Sequence, residues 1–111
     1  MSAKSLSGPL RVRSTDQVTT VHFTGARVVI DEASAPALFQ QLSDLARAVR
    51  PGQLVLDFGN VAYLSTVMLA TLVRLHKILE TAGGRLVLCN LSPDISKVFE
   101  VTRLNVLLDI R

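Results

Sequence analysis

Two adjacent hydroxyls, Ser65 and Thr66, stand immediately before an apolar run that begins at Val67. Met68, Leu69, Leu72, Val73, Leu75, Ile78 and Leu79 recur at spacings of three and four, which predicts a helix with one broad apolar face. Ser65 is placed to be its N-cap, and Thr66 falls in the first turn. The first N–H groups of a helix lack intrahelical partners and form the positive end of its dipole, so a hydroxyl there can accept phosphate where added negative charge is tolerated. On local pattern alone the same pair is an ordinary cap.

Asp57 is the other group placed for chemistry. It closes the run Leu54, Val55, Leu56, which reads as a strand covered on both faces, and Gly59-Asn60 then turns the chain. Open parallel sheets hold reactive groups just beyond the C-terminal ends of their strands, so an aspartate-phosphorylated receiver-like domain is one reading of Asp57. That chemistry also needs an acidic pair after the first strand and a lysine near the last. Thr15-Asp16 and Val106-Leu107-Leu108 supply neither. The preferred reading is a carboxylate that fixes the following turn through its own backbone.

Other constellations are lacking. His22 lies in a β-branched run and His76 in the central helix, with no cysteine or acidic pair at ligand spacing, so no metal site is expected. The lone Cys89 ends the apolar run Leu86 to Leu88 and reads as a small hydrophobe, with no disulfide possible within one chain. The sequence holds no glycine-rich phosphate loop, no Gly-x-Ser-x-Gly and no His-Glu-x-x-His. A non-enzymatic protein without cofactors is therefore expected.

The elements that position these residues follow in a β-α-β rhythm, which predicts an α/β fold. Residues 1–9 carry Ser, Gly and Pro and read as a flexible tail before a single domain, 10–111. Leu10 to Arg13 can pair at a sheet edge. Val18 to Phe23 is a strand, and Val28 to Ile30, after the Gly25 break, its bulged or paired continuation. Asp31 or Ser34 begins a first helix with Pro36 in its first turn and Leu38, Leu42, Leu45, Ala46 and Val49 on its apolar face; Arg50-Pro51-Gly52 stops it. The central helix closes at Gly83-Gly84, and Arg85 to Cys89 is the next strand. Ser92 caps a third helix with Pro93 in its first turn and a buried stripe of Ile95, Val98 and Phe99. Val106 to Ile110 reads as a last strand or short extended run.

The stretch from Val55 to Phe99 resembles the STAS family, the domain of anti-sigma factor antagonists and related regulators. That family combines an apolar strand ending in Asp, a second short apolar run, Asp-Ser-Ser-Gly opening a helix, then Gly-Gly-x-Leu-x-Leu and a helix begun by Ser-Pro. Leu54 to Asp57, Val61 to Leu64, Gly83-Gly84-Arg85-Leu86-Val87-Leu88 and Ser92-Pro93 match in order and spacing, and the similarity runs from about Val18 to the C-terminus. At the centre Ser65 stands where the family has Asp, Thr66 where it has the phosphorylated Ser, Val67 for the next Ser and Met68 for Gly. The resemblance implies a mixed open sheet of about four to five strands with about three helices, the family's C-terminal helix being short or absent. A face left open by that missing helix would allow a homodimer or a partner contact.

For function, the resemblance implies an anti-sigma factor antagonist that binds an anti-sigma serine/threonine kinase of the histidine-kinase ATPase type. Phosphorylation at Thr66, or alternatively Ser65, would switch it off. The contact surface would comprise Leu64, Ser65, Thr66, Val67, Met68 and Leu69, with Asp31 and Asp57 nearby. Asp31 resembles the aspartate that opens the family's first helix, across two extra residues after Gly25. The altered motif leaves a second reading open, a non-phosphorylated STAS scaffold subunit of a signalling or transport complex.

Composition agrees with a small soluble domain. The 111 residues are 49% hydrophobic and 19% charged, without a low-complexity run. No apolar stretch approaches the length of a membrane span and no export leader opens the chain, so a cytoplasmic location is expected. Net charge is +3, but the basic residues are scattered without a stripe or interleaved aromatics, which does not indicate nucleic acid.

Overall fold

The computed structural model describes residues 10–25, 27–48 and 52–111. The chain runs β1 (Leu10–Thr15), β2 (Val18–Phe23), β3 (Val28–Ile30), α1 (Ala35–Ala48), β4 (Gln53–Asp57), β5 (Val61–Leu64), α2 (Thr66–Thr81), β6 (Arg85–Cys89), α3 (Pro93–Val101), α4 (Leu104–Leu107) and β7 (Asp109–Ile110). This is the expected α/β architecture with a mixed sheet. The proposed tail, Val49 and the Arg50-Pro51 helix stop lie outside the described residues.

Five strands form one sheet in the order β1-β2-β4-β6-β7. Only β1 is antiparallel to its neighbour; β2, β4, β6 and β7 run parallel. Period-two alternation turns Val21, Phe23, Leu54, Leu56, Leu86 and Leu88 inward. They join Leu38 and Leu42 of α1, Met68, Leu72, Leu75 and Leu79 of α2, and Ile95 and Phe99 of α3 in one core. The helices thus cover a single side. Contrary to the expectation for Leu54 to Leu56, β4 is not sealed on both faces: Val55 points the other way and is only half-buried, beside Thr20 and His22 of β2.

A second difference concerns β3. It does not extend β2 but pairs in parallel with β5 in a separate two-stranded ribbon. Gly25, with φ +126°, redirects the chain after β2 in a conformation disfavoured for side-chain-bearing residues. Asn60 Nδ2 then donates to the Phe23 carbonyl at 3.1 Å, and Val28 N–H donates to the Asn60 carbonyl at 2.8 Å. These bonds fix the ribbon to the end of the large sheet.

The C-terminal region departs from its reading in two places. Val98 is exposed rather than part of the α3 stripe, because Ile95 and Phe99, four apart, suffice for the narrow face that meets the core. Val106 and Leu107 belong to the single turn α4, not to a strand. Arg103 enters the left-handed region at φ 63°, Leu108 N–H closes on the Leu104 carbonyl, and only Asp109–Ile110 pairs with β6.

Candidate functional site around the start of the central helix

The first turn of α2 is built by Ser65. Its backbone is extended, and its Oγ accepts a hydrogen bond from Met68 N–H at 3.2 Å. This satisfies one of the helix's free donors, while Ser65 N–H donates to the Ile30 carbonyl at 2.9 Å. Ser65 is 2% exposed. Its hydroxyl is therefore already engaged and covered. Thr66, one residue on, is exposed at the surface, and the first turn contains no acidic side chain.

Helix geometry explains how neighbours differ so sharply. Successive residues rotate by about 100° around the axis, so Thr66 and Val67 face outward while Met68 and Leu69 turn under the helix. Met68 is 0% and Leu69 5% exposed. This corrects the expected contact surface: neither side chain is available to a partner, because both pack in the core. The bulk of Met68, where the family has glycine, consequently does not obstruct an approach to Thr66.

Sequence reasoning missed two exposed apolar residues beside this turn, which stand near Val67. Val29 and Tyr63 are register partners in the β3–β5 ribbon and are 46% and 52% exposed, and Val67 is 42% exposed. The three apolar side chains flank the Thr66 turn, with Leu64 half-buried beneath. Strict alternation would put Tyr63 on the same face as Val61; the register shift between Val28 and Val29 skips Ala62 in β5 and leaves Tyr63 exposed, so the run Val61 to Leu64 carries no local signal for it.

Asp31 lies beside this turn, since Ile30, which precedes it, is paired with Leu64. Its Oδ1 accepts from Ser34 Oγ at 2.7 Å and Ser34 N–H at 3.0 Å, while the Ser34 carbonyl accepts the Leu38 N–H of α1. Both candidate residues thus contribute to starting α1. The Ser34 hydroxyl, and secondarily its N–H, lower the Asp31 carboxyl below the ordinary aspartate value.

Asp57 belongs to a different cluster. Its Oδ1 accepts from Gly59 N–H at 2.9 Å and Asn90 Nδ2 at 3.1 Å, and its Oδ2 lies 3.1 Å from His22 Nδ1. The carboxylate thereby fixes the turn after β4 and ties it to the end of β6. Cys89, opposite Asp57 in register, has its thiol pushed up by burial and by the Asp57 charge. Among the described residues, no three His, Cys, Asp or Glu side chains gather in a metal-binding arrangement. No helix among them is long and apolar enough to cross a membrane.

Comparison with known proteins places this geometry. A model of the STAS domain family matches residues 9–111. The chain is 36% identical over 76 residues to BtrV of Bordetella bronchiseptica, described as an anti-sigma factor antagonist; the match covers 67% of this chain and 63% of that protein's length. An anti-sigma-factor antagonist (STAS) domain protein from Planctomyces limnophilus superposes with a TM-score of 0.79 at 22% identity, covering 91% of this chain and 87% of that one. The Bacillus cell fate determinant SpoIIAA in its phosphorylated form superposes with a TM-score of 0.67 at 15% identity, over 92% and 90% of the two chains. With the family match spanning the large sheet, the ribbon and the helices among the described residues, the protein belongs to the STAS domain family and is similar to anti-sigma factor antagonists.

Proposed function

We propose that the protein is a cytoplasmic, non-enzymatic binding module that captures an anti-sigma serine/threonine kinase of the histidine-kinase ATPase type and releases it when Thr66 is phosphorylated. The observation that carries this reading is the division of labour between two hydroxyls. Ser65 is covered and caps the helix, whereas Thr66 is exposed on the positive end of α2. Val29, Tyr63 and Val67 supply an apolar rim on which a partner can close.

Phosphate on Thr66 would add about −1.5 to −2 charge. At a helix N-terminus that charge is tolerated by the domain itself. Within a closed contact it is desolvated without a partner, which costs far more than a neutral hydroxyl. The fold need not change for binding to fail. The similarity to BtrV, and the existence of a phosphorylated form of SpoIIAA on the same fold, support this choice over a receiver-like use of Asp57. Both oxygens of Asp57 are held by the protein's own groups. Exposed Val98, Val101, Val106 and Leu107 on α3 and α4 provide a separate apolar surface on which a homodimer could form.

Calorimetric titration of the purified protein against such a kinase, with Thr66→Asp and Thr66→Val in parallel, tests the proposal. Thr66→Asp is expected to weaken binding by at least about tenfold, equivalent to about 1.4 kcal/mol, with Thr66→Val close to wild type. Equal affinity for all three would leave the non-phosphorylated scaffold as the reading.

A further inference from the structure

The outer edge of the large sheet carries an arrangement that the Thr66 surface does not use. Among the described residues β1 pairs with β2 on one side only, so alternate backbone N–H and C=O groups along Leu10–Thr15 face outward. Five of its six side chains are exposed. Arg11 and Arg13 stand on one face of this strand, opposite His22 and Thr20 respectively. Together with Thr24 and Asn60 they border an open cleft of about 420 Å³. Among the described residues neither guanidinium has a carboxylate partner, and Asp57 on the same face is held by His22.

From this we infer that β1 is a second docking edge, which accepts an extended acidic segment of another protein as an added strand. Its backbone would continue the sheet, and carboxylates at alternate positions would meet Arg11 and Arg13, about 6.6 Å apart along the strand. Arginine suits this role because its planar fork pairs two-on-two with a carboxylate. A second copy of this chain is the wrong occupant. Antiparallel pairing about Val12 would set Arg11 of each copy against Arg13 of the other, and like charges directly opposite are destabilising. The same arginines thus exclude a like edge and select a complementary one.

The test uses the full chain labelled for NMR and a capped peptide alternating Glu with Thr and Val. A second peptide has the same composition with its glutamates grouped at one end. The alternating peptide is expected to shift β1 and β2 amides, slow hydrogen exchange along β1, and bind at least about tenfold more tightly than the grouped one. Arg11→Gln/Arg13→Gln should abolish that preference, and Thr66→Asp should leave it unchanged, which separates this edge from the kinase surface. Slowed exchange on the wild-type chain does not depend on the variant folding. Equal binding of both peptides, absence of β1 protection, or tighter binding of a short oligothymidylate overturns the proposal.

Discussion

Ser65 Oγ accepts from Met68 N–H beneath the surface while Thr66 stands outside, so the two hydroxyls should respond in opposite ways to removal. Ser65→Ala leaves a helix donor without its acceptor and is expected to lower stability by about 1 to 2 kcal/mol in urea unfolding. Thr66→Ala should stay within about 0.5 kcal/mol of wild type, and a loss as large as that of Ser65→Ala would contradict the assignment. Asp31 has its own signature. Its carboxyl is held below the ordinary aspartate value by Ser34, so its stabilising bond is fully present above that value and is lost as pH falls through the lowered one. Amide exchange at the start of α1 should accelerate only in that acidic window in wild type, whereas Asp31→Asn should remove the acid-induced step. The Cys89 thiol shifts the other way. Raised by burial and by Asp57, it should react with iodoacetamide more slowly at neutral pH than an unburied thiol, with the rate rising only above the ordinary thiol range.

The central helix is closed as firmly as it is opened. Gly83 N–H reaches the Glu80 carbonyl at 3.1 Å and Gly84 N–H the Leu79 carbonyl at 2.7 Å, with Gly83 left-handed at φ 83°. Gly84 has a different reason to be glycine, since a Cβ there would lie 2.6 Å from the Gly52 carbonyl oxygen. Gly83→Ala is expected to cost about 1 to 2 kcal/mol, and Gly84→Ala also to destabilise by forcing the start of β6 from Gly52, both read from thermal unfolding. These stops, the Ser92-Pro93 start of α3 and the helical period from Val67 were legible because each is a local chemical signal. The β3–β5 ribbon was less so. Strands of three and four residues carry too little alternation to reveal their partner, and the pairing depends on Asn60 bonds made across the fold. A linear motif does not show which of its residues face out; the helix's rotation divides it into Thr66 and Val67 outside and Met68 and Leu69 inside. Val106 and Leu107 misled by their strand-like composition, which the left-handed Arg103 overrides.

Taken together, one layer of helices covers one side of the sheet, leaving three separate surfaces: the Thr66 turn, the β1 edge and the exposed valines of α3 and α4. A domain that offers distinct surfaces on a fixed frame can exchange one partner without losing another, provided the switch acts locally. The frame should therefore be indifferent to phosphate on Thr66, and amide spectra of wild type and Thr66→Asp should differ only near α2's first turn and the β3–β5 ribbon. The most direct measurement is the map of incorporated phosphate, by tandem mass spectrometry after incubation with the kinase and ATP. The expected result is a single phosphate on Thr66 and none on Ser65; incorporation confined to Ser65, or no incorporation while the kinase still binds, would contradict the switch.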